Sequence, residues 1–369
     1  MRSFISKLLN RSHHGERGQI MFVAAAFIVI MAGAAAMAID VGSYLAHRRS
    51  LQNAVDAIAL AASQNLPQGD SAHAGANEWA MKNGIDINSM LVTVTQQNLP
   101  SEPNPKVRID LESEHNLTFL RILGVDSAEI EVSATAIMTS PAGGSGVSPL
   151  SVTEDALEGA TLGEEVVLKY DANNIELGNT SPIRVDGPGS GNCSTNDNYC
   201  SALQSGSTSV VCAEGSDTTY CDGPYLVDTE PGNKVGGTRE AINWRLENTA
   251  DACSEFEGVN GVFEDDPTTN EQGVYRIVPE CNPFVNSEYD SHRVMIIPVL
   301  EELCSTGGGA CEVTIVSFAL FFLERIGDDG CTGNDCEIVG RFVTVHQNVG
   351  LLAGTFDDDA YNSFVRLVG

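Results

Sequence analysis

The sequence predicts an α+β fold: one N-terminal transmembrane helix that continues into an amphipathic stem, a small α/β domain, and a mainly β, disulfide-rich ectodomain. Three observations predict it: an uncharged apolar run, a helical stripe of apolar residues directly after it, and ten cysteines confined to the C-terminal half. The predicted segments are a basic cytoplasmic tail (1–19), the transmembrane helix (20–39), the stem (40–66), the small domain (67–140), a Gly/Ser/Pro linker (141–150) and the ectodomain (151–369).

The transmembrane prediction rests on the run from Ile20 to Ile39, which holds no charged residue. At about 1.5 Å per residue, such a helix spans the hydrocarbon core of a bilayer. Four Lys/Arg precede the run and Asp40 follows it, which predicts a cytoplasmic N-terminus and an extracytoplasmic C-terminal domain. A cleaved signal peptide is the alternative, since Ala36-Met37-Ala38 fits a cleavage site, but the run is longer than a usual signal core.

Small residues within this run offer a contact face for other membrane helices. Ala32 and Ala36 stand four residues apart beside Gly33, and small residues let helix backbones approach closely in lipid. The alternative is that these alanines are only moderately apolar filler.

The stem prediction rests on Leu51, Val55, Ile58 and Ala62, which recur at helical spacing. Their stripe either packs on the protein's own next domain or forms a coiled contact with a partner helix, and the sequence leaves both readings open. Pro67 disfavours a helical residue before it and predicts the end of the helix there.

Residues 17–63 resemble the N-terminal segment of TadG-like proteins of the Tad/Flp pilus assembly system, and a weaker resemblance extends to about residue 140. The shared elements are Gly18-Gln19, the apolar run, Ala38 to Gly42, Arg48-Arg49, and Leu51 to Ala54 followed by Asp56. The family pattern typically has small residues where this chain has Val55 and Ile58. The resemblance implies a bacterial envelope protein associated with pilus assembly or secretion, whose partners are other pilus-assembly or envelope membrane proteins.

The small domain is predicted as α-β-β-α-β, with helices on one face of an open sheet. Asp70 is the predicted cap of a helix through Lys82. The three strands are expected at Leu91–Gln96, around Val107–Leu111 and around Ile130–Ala136, and a short helix is expected at Phe119–Leu123. Residues 140–149, rich in Gly, Ser and Pro, are then predicted as a flexible linker and domain boundary.

The ectodomain is predicted to be mainly β. Strands are expected at Val166–Tyr170, Val294–Leu300, Val313–Leu323 and Ile338–His346, the third being apolar on both faces and therefore central. Thr238 is predicted to cap a helix that runs to Asn248. Two short segments, 181–187 and 230–238, resemble ectodomains that are attached to the same N-terminal segment in other envelope proteins, and they assign no chemistry.

The ten cysteines are expected to form intramolecular disulfides. Their number is even, the region has only two histidines, and no CxxC spacing suggests zinc. Short spacings suggest local pairs, with the two remaining cysteines paired across a longer loop. The expected pairs are Cys193/Cys200, Cys212/Cys221, Cys304/Cys311, Cys331/Cys336 and Cys253/Cys281.

Charge and motifs narrow the function classes. The chain carries a net charge of -30, which disfavours nucleic acid as a partner. GxSxG, HExxH and P-loop motifs are absent, so no catalytic, cofactor or metal residues are expected. His292 is predicted to be a surface histidine, and the acidic turns at 328–329 and 357–359 are predicted to be solvated.

Three functions remain open from the sequence. The favoured one is a non-enzymatic, membrane-anchored assembly component of a Tad/Flp-type pilus or related secretion apparatus. The alternatives are a surface adhesin or receptor on the same anchor, and an envelope hydrolase without a recognisable motif.

Overall fold

The computed structural model describes residues 16–95, 104–171, 180–194, 196–216, 221–267, 274–284, 291–303, 310–347, 349–356 and 363–368. The α-helices in these ranges are α1 (Glu16–Ser63), α2 (Gly69–Lys82), α3 (Glu154–Glu158), α4 (Asn198–Ser205) and α5 (Val235–Asn248). The strands are β1 (Met90–Thr95), β2 (Lys106–Asn116), β3 (Ser127–Thr139), β4 (Pro141–Gly144), β5 (Leu150–Thr153), β6 (Glu165–Asp171), β7 (Thr180–Pro182), β8 (Val211–Cys212), β9 (Leu226–Asp228), β10 (Phe263–Asp265), β11 (Val274–Ile277), β12 (Val294–Leu300), β13 (Glu312–Thr332), β14 (Asp335–Val345), β15 (Leu352–Ala353) and β16 (Phe364–Val368).

The first helix is unbroken from the apolar run into the stem. α1 has 48 residues, which at about 1.5 Å per residue makes it about 70 Å long. Its side chains from 21 to 39 are almost all exposed, as expected of a segment whose apolar surface is covered by lipid. Burial begins at Asp40, so the helix divides into a free membrane segment and a stem that packs on the rest of the chain.

The stem lies on an antiparallel sheet of four strands in the order β1-β2-β3-β16. Alternating residues of β2 and β3, such as Val107, Ile109 and Ile130, turn one face of this sheet towards α1 and α2. We call residues 40–66 together with α2, β1, β2, β3 and β16 the stem unit. The prediction of a small open sheet with its helices on one face is confirmed.

The fourth strand comes from the far end of the chain. β16 pairs with β3 from Phe364 opposite Thr139 to Val368 opposite Thr135. Phe356 is also buried among the stem residues, and its N–H donates to Asn104 at 2.7 Å. The predicted division at 140 therefore misses a part of the stem unit, because long-range strand pairing leaves no local signal in the sequence.

The predicted linker is wrong. Pro141–Gly144 forms β4, which is buried and pairs with β8 and β15, and Val147 bridges to Ile296. Gly143 has a φ of 146°, and a Cβ there would collide with the backbone of Val211 and Cys212. Glycine allows either a flexible linker or a close contact between backbones, and here it allows the close contact. A glycine-rich composition therefore does not distinguish a mobile segment from a tightly packed one.

The ectodomain is built on a sheet of nine strands, and we call residues 141–356 the nine-stranded region. Its main order is β10-β11-β14-β13-β12-β5-β7, with β6 on β14 and β9 on β13. β13 is buried on both faces: Phe318 and Phe322 enter one core, and Phe321 and Leu323 enter the other. The prediction of a central, doubly buried strand is confirmed.

Two predicted helix caps are wrong. Gln68 occupies the position before α2, and Asp70 lies in the first turn, where its charge favours the helix dipole. α5 begins at Val235, and Thr238 is buried inside the helix, where its hydroxyl lies 2.7 Å from that of Tyr199 in α4. Both cap predictions fail because a small polar residue near a helix start can also lie within the first turns, as Thr238 does by donating to the carbonyl of Lys234.

Four disulfides are present in the described residues, and they agree with the expected pairing: Cys193–Cys200, Cys212–Cys221, Cys253–Cys281 and Cys331–Cys336. Cys311 is disulfide-bonded as well, and Cys304 lies outside the described residues. Each bridge closes a loop of 5 to 28 residues, which limits the freedom of the unfolded chain.

Candidate functional site

The junction between the membrane segment and the stem unit is fixed by one carboxylate. Asp40 is the first residue after the uncharged run, and only 1% of it is exposed. Its Oδ1 accepts the N–H groups of Thr118 and Phe119 at 3.0 and 3.2 Å, and its Oδ2 accepts those of Phe119 and Leu120 at 2.9 and 2.6 Å. Asp40 thus binds the start of a 3-10 helix, Leu120–Leu123, in the loop between β2 and β3.

These hydrogen bonds also set the charge state of Asp40. Burial alone would raise its pKa, but the N–H groups of Leu120, Thr118 and Phe119 and the nearby His115 lower it below the ordinary value. The carboxylate is therefore ionised at neutral pH, when it is the better hydrogen-bond acceptor. The sequence signal that could have revealed this role is an acidic residue placed directly at the end of the apolar run.

Further polar contacts follow along the same side of the stem. The Ser43 hydroxyl lies 3.1 Å from His115 Nε2, and the Tyr44 hydroxyl donates to the carbonyl of Glu129 at 3.3 Å. Gln52 donates to the carbonyl of Ser133 at 2.9 Å and to Asp56 at 2.8 Å. These contacts fix the helix along β3 as well as across it.

The apolar stripe of the stem is fully used inside the chain. Leu51, Val55 and Ile58 are 7%, 0% and 0% exposed and pack against the aliphatic face of β2 and β3. Burying such side chains contributes about 1.5–3 kcal/mol each. Of the two alternatives that the sequence left open for this stripe, the structure supports packing on the protein's own domain over contact with a partner helix.

A second helix closes over the end of the stem through small residues. Ala72, Ala76 and Ala80 of α2 are buried against α1, and a Cβ at Gly75 would lie only 2.9 Å from the side chain of Asn65. Small side chains let the two backbones come close, and this packing leaves the stem held on two sides, by α2 and by the sheet.

The membrane segment makes no comparable contacts in the described chain. Ala32 and Gly33 are exposed, Ala36 is partly exposed, and no atom lies within 4 Å of a Cβ placed on Gly33. The face that the sequence suggested for helix packing is therefore open to lipid or to another helix.

Away from the junction, the described residues hold few groups that could bind a metal or react. No group of three or more His, Cys, Asp or Glu is arranged to hold a metal in the described residues, and Asp357, Asp358 and Asp359 lie outside them. His292 packs on Trp244 with ring centroids 4.9 Å apart, and its carbonyl accepts from Arg245 at 2.6 Å. A cleft of about 420 Å³ beside Phe256 holds Arg341 and Glu324, which pair with each other at 2.7 Å.

The two segments that resembled other envelope ectodomains meet in space. Ile183 bridges to Thr229, and the buried carboxylate of Glu230 lies 3.3 Å from Arg184 and 3.4 Å from Lys234. Lys234 also donates to the carbonyl of Gly189 at 2.6 Å. These charged groups pair with one another and hold the loops before α5 in place. We therefore assign them a structural role.

One known family resembles the junction and the helix on both sides of it. Residues 18–65 match the Tad family model, described as "Putative Flp pilus-assembly TadE/G-like". The N-terminal segment is similar to this TadE/G-like family. The match covers α1 from near its start to the turn that leads into α2, so the family segment includes both the membrane segment and the stem.

The polar residues that carried the resemblance to TadE/G-like segments differ in their contacts within the fold. Asp40 bonds the loop between β2 and β3 and Gln52 bonds β3, whereas Asn53 is exposed. No curated protein and no solved structure matches the chain. Residues 18–65 are thus the part of the protein with a family match, and that match is to a pilus-assembly family.

Proposed function

We propose that the protein is a non-enzymatic, membrane-anchored assembly component of a Tad/Flp-type pilus or related secretion apparatus. In this role it presents its acidic nine-stranded region at a fixed position beside the membrane, and the other membrane proteins of the apparatus contact its anchor helix. The single observation that carries the proposal is the TadE/G-like helix that continues from the membrane segment into the core of the stem unit.

A rigid connection supports an assembly role. A domain on a flexible linker would sample many positions, whereas α1 has no break between the membrane segment and the residues that pack on β2 and β3. Asp40 adds hydrogen bonds at the membrane end, and the buried stripe fixes the other end. The stem unit therefore keeps a set height and rotation relative to the anchor.

We place the nine-stranded region outside the cytoplasm. Four basic residues lie before the apolar run, and disulfides are stable in an oxidising compartment. Protease added to intact spheroplasts should digest the nine-stranded region and spare a tag fused before residue 1. The reverse result would invert the orientation.

The test of the partner contact uses two matched variants of the membrane segment. Ala32→Leu with Ala36→Leu places bulky side chains on the small-residue face beside Gly33. Ala34→Leu with Ala38→Leu makes the same two changes at the same spacing on the opposite face, because an α-helix turns about 100° per residue. We expect the first variant alone to lower pilus output and the co-purification of other envelope proteins.

We expect both variants to insert and to accumulate to the parental level, because Leu is at least as favourable as Ala in lipid. The comparison is made only at equal protein levels. Equal pilus output and equal co-purification in the two variants and the parent would show that the membrane segment is only a tether. A loss in both variants would show that the segment needs its overall composition and has no specific contact face.

A further inference from the structure

The loop between β2 and β3 carries an unusual set of exposed apolar side chains. Ile122 is 84% exposed, Val125 48% and Phe119 38%, all within one 3-10 turn and its flanks. Gly124, with a φ of 88°, ends the turn in a left-handed conformation. Nothing in the described chain covers these side chains, although exposed apolar clusters are costly in water.

The position of this loop is fixed relative to the membrane. Asp40 follows directly on the uncharged run, and its carboxylate holds the N–H groups of residues 118–120. The polar interfacial layer of a bilayer extends roughly 5–7 Å beyond the hydrocarbon on each side. A loop bonded to the first residue outside the hydrocarbon therefore lies within that layer.

The neighbouring surface of α1 has the same character. Ile39 is 56% exposed and Val41 47%, so the apolar surface of the membrane segment continues past Asp40 at the level of the loop. Arg121 is highly exposed beside these residues and pairs with Asp126 at 3.1 Å, which suits a side chain at headgroup depth.

We infer that the loop Leu117–Asp126 inserts Phe119, Ile122 and Val125 into the lipid interface as a second membrane contact beside the anchor helix. The occupant of this surface is the bilayer, because the surface is continuous with the membrane segment. The contact supports the stem unit at two points, so α1 cannot tilt freely under its ectodomain. The inference depends on membrane anchoring by α1, and it holds for either orientation and for any function of the ectodomain.

The test places a tryptophan at the loop in the full-length protein, reconstituted in phosphatidylcholine vesicles with brominated acyl chains. Ile122→Trp reports the loop, and Leu367→Trp is the matched control on the same sheet. Leu367 is 41% exposed, and its partner Ala136 lies nine residues along β3 from Ser127, or about 30 Å from the loop at about 3.3 Å per residue. The two native tryptophans give a common background, measured on the parent.

We expect bromine to remove most of the added emission at position 122 and to leave that at position 367 unchanged. Quenching should be stronger with bromines near the headgroup than with bromines near the chain end, and the emission at 122 should shift to the blue. Equal quenching at the two positions would overturn the inference. A blue shift at 122 without quenching by the brominated chains would overturn it as well, because the tryptophan would then be covered by protein, such as a second copy of the chain.

Discussion

The stem unit and the nine-stranded region are stabilised in different ways. The stem unit contains no cysteine, and its core consists of aliphatic residues and alanines brought together by α1, α2 and one sheet face. The nine-stranded region contains all ten cysteines, and its strands are joined by glycine-rich loops that disulfides close. A long helix can order a sheet by lying along it, whereas irregular loops need a covalent constraint to limit their unfolded freedom.

The two tryptophans of the chain can measure this difference. Trp79 lies in α2 of the stem unit and Trp244 lies in α5 of the nine-stranded region. Trp244→Phe and Trp79→Phe variants therefore report the two regions separately in denaturant unfolding.

Reduction of the disulfides should have the largest effect, and only in one region. Each bridge contributes about 2–4 kcal/mol, so the loss of several approaches the whole stability of a typical domain. We expect unfolding curves recorded in reductant to show the Trp244 transition at a much lower denaturant concentration and the Trp79 transition little changed. Equal shifts at both tryptophans would mean that the two regions unfold as one unit through β16.

Ile58→Ala should show the opposite selectivity. Ile58 is fully buried between α1 and the sheet, and removing such a side chain costs about 2–5 kcal/mol. We expect the Trp79 transition to shift and the Trp244 transition to stay in place. Asn53→Ala, on the exposed side of the same helix, is the control and should leave both transitions unchanged. No shift after Ile58→Ala would contradict the packing of the stem on its own sheet.

A smaller effect should follow from pH in the nine-stranded region. His346 is 5% exposed, neither ring nitrogen has a hydrogen-bond partner in the described residues, and burial lowers its pKa although Asp266 opposes this. Below the ordinary histidine pKa of about 6.5, the unfolded chain takes up a proton that the folded chain resists. The free energy of unfolding should therefore fall as the pH falls below about 6.5.

The measurement is the Trp244 transition between about pH 7 and about pH 5 in the parent and in a His346→Leu variant. The variant should lose less stability over this range, because it has no imidazole to protonate. Parallel pH dependence in the two proteins would show that protonation of His346 does not contribute.

The helix of the anchor and the regular strands were readable from the sequence because their signals are local. The uncharged run, the spacing of Leu51, Val55 and Ile58, and the alternation in β2 and β3 each extend over one element. β12 begins and ends at the predicted residues, Val294 and Leu300. Short disulfide spacings likewise restrict pairing to neighbours, and three of the four described bridges follow them, while Cys253–Cys281 joins the two cysteines that remained.

The sequence left open what covers the stem stripe, and it misjudged the segment before Leu150. An apolar helix face has the same pattern whether it meets its own sheet or a partner, and glycines have the same composition whether they give freedom or close contact. The packing of the stripe on β2 and β3 resolves the first case, and the pairing of β4 with β8 and β15 resolves the second, since these partners lie far away in the sequence.

The sequence by itself determined the long apolar helix, its resemblance to a TadE/G-like segment and the cysteine-rich character of the ectodomain, because each is encoded in a contiguous run or in composition. Tertiary structure alone decided that Asp40 binds the loop at residues 118–120, some 80 positions away, and that the C-terminal strand completes the stem unit. Both depend on groups that become neighbours only after the chain has folded, and a hydrogen bond between distant residues leaves no periodic trace in the sequence.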